Sequence, residues 1–165
     1  MKIAKSTCES GFTLVEVMIV VALIGLLVVL AMNGYQAWAQ RYRTENDVKE
    51  MFAGLMDARA SAMQKKRVHF VTMTATGYGI YEDTNPAPDG DGVLTAADTF
   101  VRRGAPRSSI ISYPAAISFF RDGTVSISDG YIRLSSPVAA DYDCIHLGKT
   151  RVKIGRFNGA ACVEK

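Results

Sequence analysis

A single acidic side chain near the start of a long apolar segment is the feature of this sequence most directly tied to chemistry. Glu16 is the only charged residue between positions 12 and 32. A carboxylate at the centre of a bilayer costs about 3 kcal/mol on insertion scales, so such groups are usually paired. We therefore expect Glu16 to meet a cationic group. The alternative is a plain single-pass anchor whose acid reaches the membrane surface or is protonated.

Three aspartates in a polar loop have spacings that suit a hard cation. If Gly92 takes the turn position of an EF-hand loop, Asp89 and Asp91 fall on ligand positions and Asp98 on the closing one. Ala87 then occupies the first ligand position, and Asp98 has a shorter reach than the usual bidentate glutamate. The sequence allows a Ca²⁺ site here but favours a solvated loop.

A basic segment near the C-terminus suggests contact with phosphates. Lys149, Arg151 and Lys153 alternate and would project from one face of a strand, with Arg156 and the stackable ring of Phe157 following. Such a stripe could track a nucleic-acid backbone. The net charge of +3 is modest, so a solvated strand face is the favoured alternative.

The apolar segment has the length of a membrane span. About twenty helical residues cross the roughly 30 Å of a bilayer core. Lys2 and Lys5 precede it, which predicts a cytoplasmic N-terminus and places the rest of the chain outside. No good signal-peptidase site follows, and Tyr35 and Trp38 occupy an interfacial position, so we expect the span to be retained.

The cysteines point to one disulfide. Cys8 precedes the apolar segment, whereas Cys144 and Cys162 lie on the non-cytoplasmic side, where a disulfide between them is favoured. A metal site with His69 or His146 lacks close ligand spacing and is the weaker alternative.

Apolar residues continue at helical spacing beyond the span. The pattern predicts one long helix ending near Lys65, with an apolar stripe against a globular head. Gly25, Asn33 and Gly34 lower helix propensity and mark places where it could bend or unwind. The stripe comprises Val48, Met51, Phe52, Leu55, Met56, Arg59, Ala62 and Met63.

From Lys66 onwards the periodicity changes to alternation. Turns are expected at residues 75–77, 122–123, 129–130 and 148–149. One helix followed by mostly antiparallel strands predicts a single α+β domain. The expected strands are 67–73, 78–82, 99–103, 110–113, 117–120, 124–127, 131–134, 143–147 and 151–156.

Residues 11–17 resemble the processing motif of type IV prepilins and type II secretion pseudopilins. The resemblance implies cleavage between Gly11 and Phe12 by a membrane prepilin peptidase, and N-methylation of Phe12. It also implies that Glu16 pairs with the Phe12 amine of a neighbouring subunit in a helical filament, built at an inner-membrane assembly platform. The implied organisation is a leader (1–11), a membrane and assembly segment (12–34), a helix packed on the head (35–66) and a β-rich head (67–165). The head would be periplasmic, and the filament periplasmic or extracellular.

Three further segments resemble the GspH/FimT group of minor subunits. Residues 52–62 are similar to that group's segment of small residues around an Ala-Arg pair, residues 120–125 to its strand and turn, and residues 151–156 to its terminal strand. Some members of the group are DNA receptors of competence pili, although Asn158 replaces the second basic residue expected in that tail. The resemblance implies a minor structural subunit, with DNA binding as the alternative.

An enzymatic function has little support in the sequence. There is no nucleophile elbow, no phosphate-binding glycine loop and no metalloprotease helix motif. His69 and His146 lie in separate strand-like segments without nearby acidic partners in sequence. We therefore expect a structural protein that requires no cofactor.

Overall fold

The computed structural model describes residues 11–165, without the side chains of residues 30–33. The predictions that involve Lys2, Lys5 and Cys8 lie outside the described residues. One long helix is followed by two antiparallel sheets, which confirms the predicted α+β class. Two compact units are distinguished, one ending at Trp38 and the other covering Ala39–Lys165. From here on, the head means this second unit, which includes the C-terminal part of the helix as well as the β-rich region 67–165.

Helix α1 runs over Leu14–Lys65, a length of 52 residues. Its assignment is continuous through Gly25 and Gly34. It ends where Lys66 adopts the left-handed backbone conformation, with φ of 57°, which stops the helical hydrogen-bond pattern. The end at Lys65 agrees with the sequence-based prediction.

The head contains two sheets whose strands all pair antiparallel. The strands of the first sheet are β1 (His69–Thr74), β2 (Gly77–Glu82), β3 (Thr99–Gly104) and β5 (Ala116–Phe119). Those of the second are β4 (Ile110–Ser112), β6 (Asp129–Leu134), β7 (Cys144–Gly148), β8 (Val152–Phe157) and β9 (Cys162–Glu164). The first sheet has the order β3-β2-β1-β5 and the second β4-β6-β7-β8-β9.

The core lies between the C-terminal half of α1 and both sheets. Because successive side chains of a strand point to opposite faces, every second strand residue faces this core. On the helix, residues three or four positions apart lie on one face and pack against those strand residues. The helix buries Val48, Met51, Leu55, Ala58 and Ala62, largely as predicted. The strands contribute Val71, Ile80, Ile117, Phe119, Ile132, Leu134, Ile145 and Leu147.

The strand predicted at 124–127 is wrong. Only Val125 makes a β-bridge there, to Phe119. The Asp122 carboxylate accepts hydrogen bonds from both the backbone N–H and the hydroxyl of Thr124, at 2.9 and 2.7 Å, and so holds this segment in a turn.

Two further differences lie in the second sheet. The turn predicted at 129–130 is wrong, because Asp129 already begins β6 and pairs with Gly148. Strand β9 was not predicted, since three residues are too few to show alternation.

Candidate functional site

The start of α1 is organised around Thr13 and Glu16. The Thr13 hydroxyl accepts a hydrogen bond from the Glu16 backbone N–H at 3.3 Å, and the Thr13 carbonyl accepts one from Val17 at 3.2 Å. Thr13 is therefore the N-cap, in the Thr-x-x-Glu spacing of a capping box, of which the structure shows the half made by the Thr13 hydroxyl. Because Glu16 lies in the first turn, the positive end of the helix dipole favours its negative charge.

The helical segment after Phe12 exposes its apolar side chains. Phe12 is 83% exposed, and every described side chain from 11 to 29 is exposed as well. Within the described residues, α1 is the one helix long and apolar enough to cross a membrane, with a mean hydropathy of 3.0 over its most apolar stretch. Such a surface is unfavourable in water, so lipid or other protein must cover it.

Arg59 connects the helix to two turns of the head. Its Nε donates to the Gly123 carbonyl at 2.7 Å and its Nη2 to the Thr150 carbonyl at 2.9 Å. Gly123 has a φ of 80°, which a residue with a side chain adopts only with strain. The segments 52–62 and 120–125, singled out separately in the sequence, are thus joined by one side chain.

An ionic cluster around the buried carboxylate of Glu82 lies where the chain passes from α1 into β1. Lys65 Nζ and Arg67 Nη1 lie 2.6 and 3.1 Å from the two carboxylate oxygens of Glu82, which is 6% exposed. Burial alone would raise the pKa of Glu82, but the hydrogen bonds from Lys65 and Arg67 outweigh it and lower that pKa. Burial of His69 lowers the pKa of its imidazole.

The residues of the predicted basic stripe lie around the start of β8. Strand β8 begins only at Val152, so Lys149 and Arg151 lie before it. Lys153 and Arg156, three residues apart in the strand, project from opposite faces. Lys153 also forms an ion pair with Glu164. DNA binding by this segment stays a prediction.

The carboxylate of Asp98 stabilises the loop between β2 and β3 through hydrogen bonds. It accepts backbone hydrogen bonds from Thr84, Asn85 and Thr95 at 3.1, 3.2 and 2.6 Å. Burial alone would raise the pKa of Asp98, but these bonds outweigh it and lower that pKa. The acid predicted to close a metal loop is thus occupied by the loop's own backbone.

The other two predicted Ca²⁺ ligands are not brought to Asp98. Asp91 accepts a hydrogen bond from the Val93 backbone at 2.9 Å, and Asp89 is exposed. Among residues 11–165, no three His, Cys, Asp or Glu side chains form a group that could hold a metal ion.

Cys144 and Cys162 are joined by a disulfide, with Cα atoms 6.0 Å apart. The bond reaches from β7 to β9 across the intervening strand β8. It passes over Gly155, where an added Cβ would lie 3.0 Å from Cys162 Sγ and closer still to the Val163 carbonyl. A glycine at this position therefore allows the disulfide to fasten the edge strand β9 to the sheet.

Comparison with known proteins places the clearest similarity at the N-terminus. Residues 7–32 match the family model described as the prokaryotic N-terminal methylation motif. The chain is 28% identical over 120 residues to the type IV major alpha-pilin of Moraxella bovis, covering 73% of this chain and 67% of the relative. It is 35% identical over 85 residues to a fimbrial protein of Pseudomonas aeruginosa, covering 51% of this chain and 55% of the relative.

A third relative, fimbrial protein Q of Moraxella bovis, is 38% identical over 58 residues, which cover 35% of this chain and 37% of the relative. The matches to the Pseudomonas protein and to fimbrial protein Q therefore span about half and about a third of those relatives' lengths. No solved structure matches the chain. The chain thus carries an N-terminal methylation motif and is similar, over part of its length, to type IV pilins and fimbrial proteins.

Proposed function

We propose that this chain is a structural subunit of a type IV pilus or a related secretion filament. On this proposal, prepilin peptidase cleaves between Gly11 and Phe12, and the new amine of Phe12 is methylated. The observation that carries the proposal is the exposed apolar helix headed by Glu16, directly beside the methylation motif. The role is structural rather than catalytic.

On this proposal, the exposed apolar segment is covered first by lipid and later by neighbouring subunits. Before assembly, the segment lies in the inner membrane, where the assembly platform acts, with the head on the periplasmic side. In a filament, the same side chains pack against equivalent helices of neighbouring subunits. Both environments satisfy the requirement that this apolar surface be removed from water.

Glu16 then specifies how subunits align. The ammonium of Phe12 on a neighbouring subunit neutralises the carboxylate, whereas either charge left alone in apolar surroundings is strongly unfavourable. A pair of this kind sets the register between helices more than it adds stability. Local capping by Thr13 uses the Glu16 backbone N–H and leaves its carboxylate for the partner.

We further propose that the chain is a minor subunit of the GspH/FimT group. The support is Arg59, which ties the small-residue segment of α1 to the turn at Gly123 and thereby joins two segments on which the resemblance rests. The relatives named above carry the names of pilins and fimbrial proteins, which favours a pilus over a secretion filament.

The test is a charge reversal at Glu16. In cells that produce the filament system, Glu16→Lys should be processed normally but be absent from sheared filaments. Glu50→Lys makes the same charge change at an exposed helical position of the head and should be incorporated like the unmodified chain. Incorporation of Glu16→Lys at the level of Glu50→Lys would refute the proposal.

A further inference from the structure

A groove of about 470 Å³ lies on the outer face of the first sheet. The core residues Val71 and Ile80 lie on the opposite face, because successive side chains of a strand alternate. Sites for small ligands have volumes of about 300 to 1,000 Å³, so the groove is large enough to be one. Its lining includes Thr72, Thr74, Thr76, Gly79, Tyr81 and Arg103.

The groove exists because the middle strand carries a glycine at this point. In the register of the sheet, Gly79 on β2 lies between Thr72 on β1 and Arg103 on β3. Neighbouring strands lie about 4.8 Å apart, so the side chains of β1 and β3 are separated by roughly 10 Å. Gly79 has no side chain to fill this width. The groove therefore has a threonine on one side and an arginine on the other.

The ring of Tyr81 forms part of the floor of the groove. A Cβ added at Gly79 would lie 3.0 Å from Cε2 of Tyr81, so the ring leans back over the glycine. Phe100 on β3 contacts this ring nearly edge-on, with ring centroids 5.5 Å apart and planes at 70°. This contact holds an aromatic surface in place within the groove. Such a surface favours a ligand that presents an apolar C–H face.

Arg103 is a cation that the head does not use internally. It is exposed and forms no ion pair or hydrogen bond with the described part of the chain. The neighbouring Arg102 projects from the opposite face of β3, where it lies 4.0 Å from Asp57 on α1. The described residues that line the groove include no acidic side chain. The planar guanidinium of Arg103 is therefore available to bind a carboxylate through two parallel hydrogen bonds.

The threonines of β1 offer acceptors to a ligand. The Thr74 hydroxyl donates to the Gly77 carbonyl at 3.0 Å. The Thr72 hydroxyl donates to the Gly79 carbonyl at 3.5 Å. Their oxygen lone pairs remain for hydroxyl groups of a ligand. The backbone of β2 is paired on both sides, with β1 and β3, so a peptide cannot join this surface by strand addition.

We propose that this groove binds an acidic saccharide through a uronic acid unit. The carboxylate of the sugar pairs with Arg103, and one C–H face of its ring lies on Tyr81. Its hydroxyls donate to Thr72 and Thr74. An acidic peptide supplies the carboxylate but neither the hydroxyls nor the ring face. The binding does not depend on assembly of the chain into a filament, so it can be measured on the isolated chain.

The test is isothermal titration calorimetry of the full chain in mild detergent with two probes, trigalacturonate and trimannuronate. The unmodified chain should bind at least one of them. Arg103→Gln should bind that probe about tenfold to 100-fold more weakly, because a charged hydrogen-bonded pair is lost. Tyr81→Leu still covers Gly79 but lacks the flat ring, and it should bind about fivefold more weakly.

The matched control is Arg102→Gln, which removes the same charge from the other face of β3. It should bind the probe with an affinity within about twofold of the unmodified chain, since only Arg103 faces the groove. Circular dichroism of every variant establishes that the head is folded.

Two matched ligands test the chemistry of recognition. The methyl ester of the bound probe keeps the rings and hydroxyls but lacks the charge, so the unmodified chain should bind it as weakly as Arg103→Gln binds the acid. Triglutamate keeps the charge but lacks the sugar, and it should bind about tenfold more weakly than the saccharide.

Any one of four results would overturn the inference. The first is that neither saccharide binds the unmodified chain. The second is a loss of affinity in Arg103→Gln no greater than in Arg102→Gln. The third is a methyl ester that binds as tightly as the acid. The fourth is triglutamate that binds as tightly as the saccharide, which would assign the groove to acidic peptides instead.

Discussion

The close contact between Gly54 on α1 and Tyr78 on β2 allows a test of how the helix packs against the sheet. A Cβ added at Gly54 would lie 3.2 Å from Tyr78 Cζ and less than 3.0 Å from its hydroxyl oxygen. Tyr78 is 4% exposed, and its hydroxyl has no hydrogen-bond partner within the described residues. The ring therefore cannot move aside easily.

Two effects of Gly54→Ala oppose each other. Alanine gains about 1 kcal/mol over glycine in a helix interior, whereas overpacking a buried site costs about 1 to 3 kcal/mol. We expect a net loss of about 1 kcal/mol in the free energy of unfolding, or about 4 °C in Tm for a head of this size. In the Tyr78→Phe background the clashing oxygen is absent, so the same substitution should stabilise by up to about 1 kcal/mol.

The measurement is urea unfolding of the head fragment Ala39–Lys165 with its disulfide intact, for all four members of the cycle. Tyr78→Phe alone should be close to neutral, since it removes a buried hydroxyl that has no partner within the described residues. The reasoning is refuted if Gly54→Ala has the same effect in both backgrounds, because the coupling energy would then be zero.

Three further predictions concern the head. Replacing Cys144 and Cys162 by serine should lower the free energy of unfolding by about 3 kcal/mol for a loop of this length, measured by urea unfolding against the oxidised chain; an unchanged midpoint would contradict it. As the pH falls below about 6.5, the unfolded chain protonates His69 more readily than the folded chain, because burial lowers the pKa of His69. The free energy of unfolding should therefore decrease with acidification, and His69→Gln should flatten that part of the pH profile. Arg59→Met should lower the free energy of unfolding by about 2 to 4 kcal/mol, because two charged hydrogen bonds to carbonyls are lost. Arg151→Met, a control at an exposed position, should lower it by less than about 0.5 kcal/mol. Similar losses in the two variants would refute the role of Arg59.

The sequence was most informative where one periodicity persists. The helix end at Lys65 was predicted because apolar residues recur at helical spacing up to it, and Val48, Met51 and Leu55 are buried accordingly. Most strands were predicted for the same reason, since alternation over five or six residues identifies a half-buried strand.

Local hydrogen bonding explains where prediction failed. Residues 124–127 have the apolar pattern of a strand, but the Asp122 carboxylate binds Thr124 and competes with the sheet for this backbone. Asp98 has a carboxylate that could bind a metal ion, yet this carboxylate accepts hydrogen bonds from three backbone N–H groups of its own loop. Residue type alone does not show whether a carboxylate faces a ligand or the backbone of its own loop.

The long-range contacts of Arg59 could not be predicted from the sequence. The bonds of Arg59 to the carbonyls of Gly123 and Thr150 join residues 64 and 91 positions apart. A groove lined by Arg43 and Arg107 likewise forms only where the segments before β4 and after β6 meet the helix. Such sites follow from topology, which a single sequence specifies only indirectly.

The central claim is that cleavage frees the N-terminal amine of Phe12, which then neutralises Glu16 of a neighbouring subunit. Top-down mass spectrometry of the chain recovered from its native cells tests it most directly. The account predicts a polypeptide that begins at Phe12 and carries one additional methyl group on its N-terminal amine. Recovery of chains that retain Met1, or that are cut after the apolar segment, would contradict it.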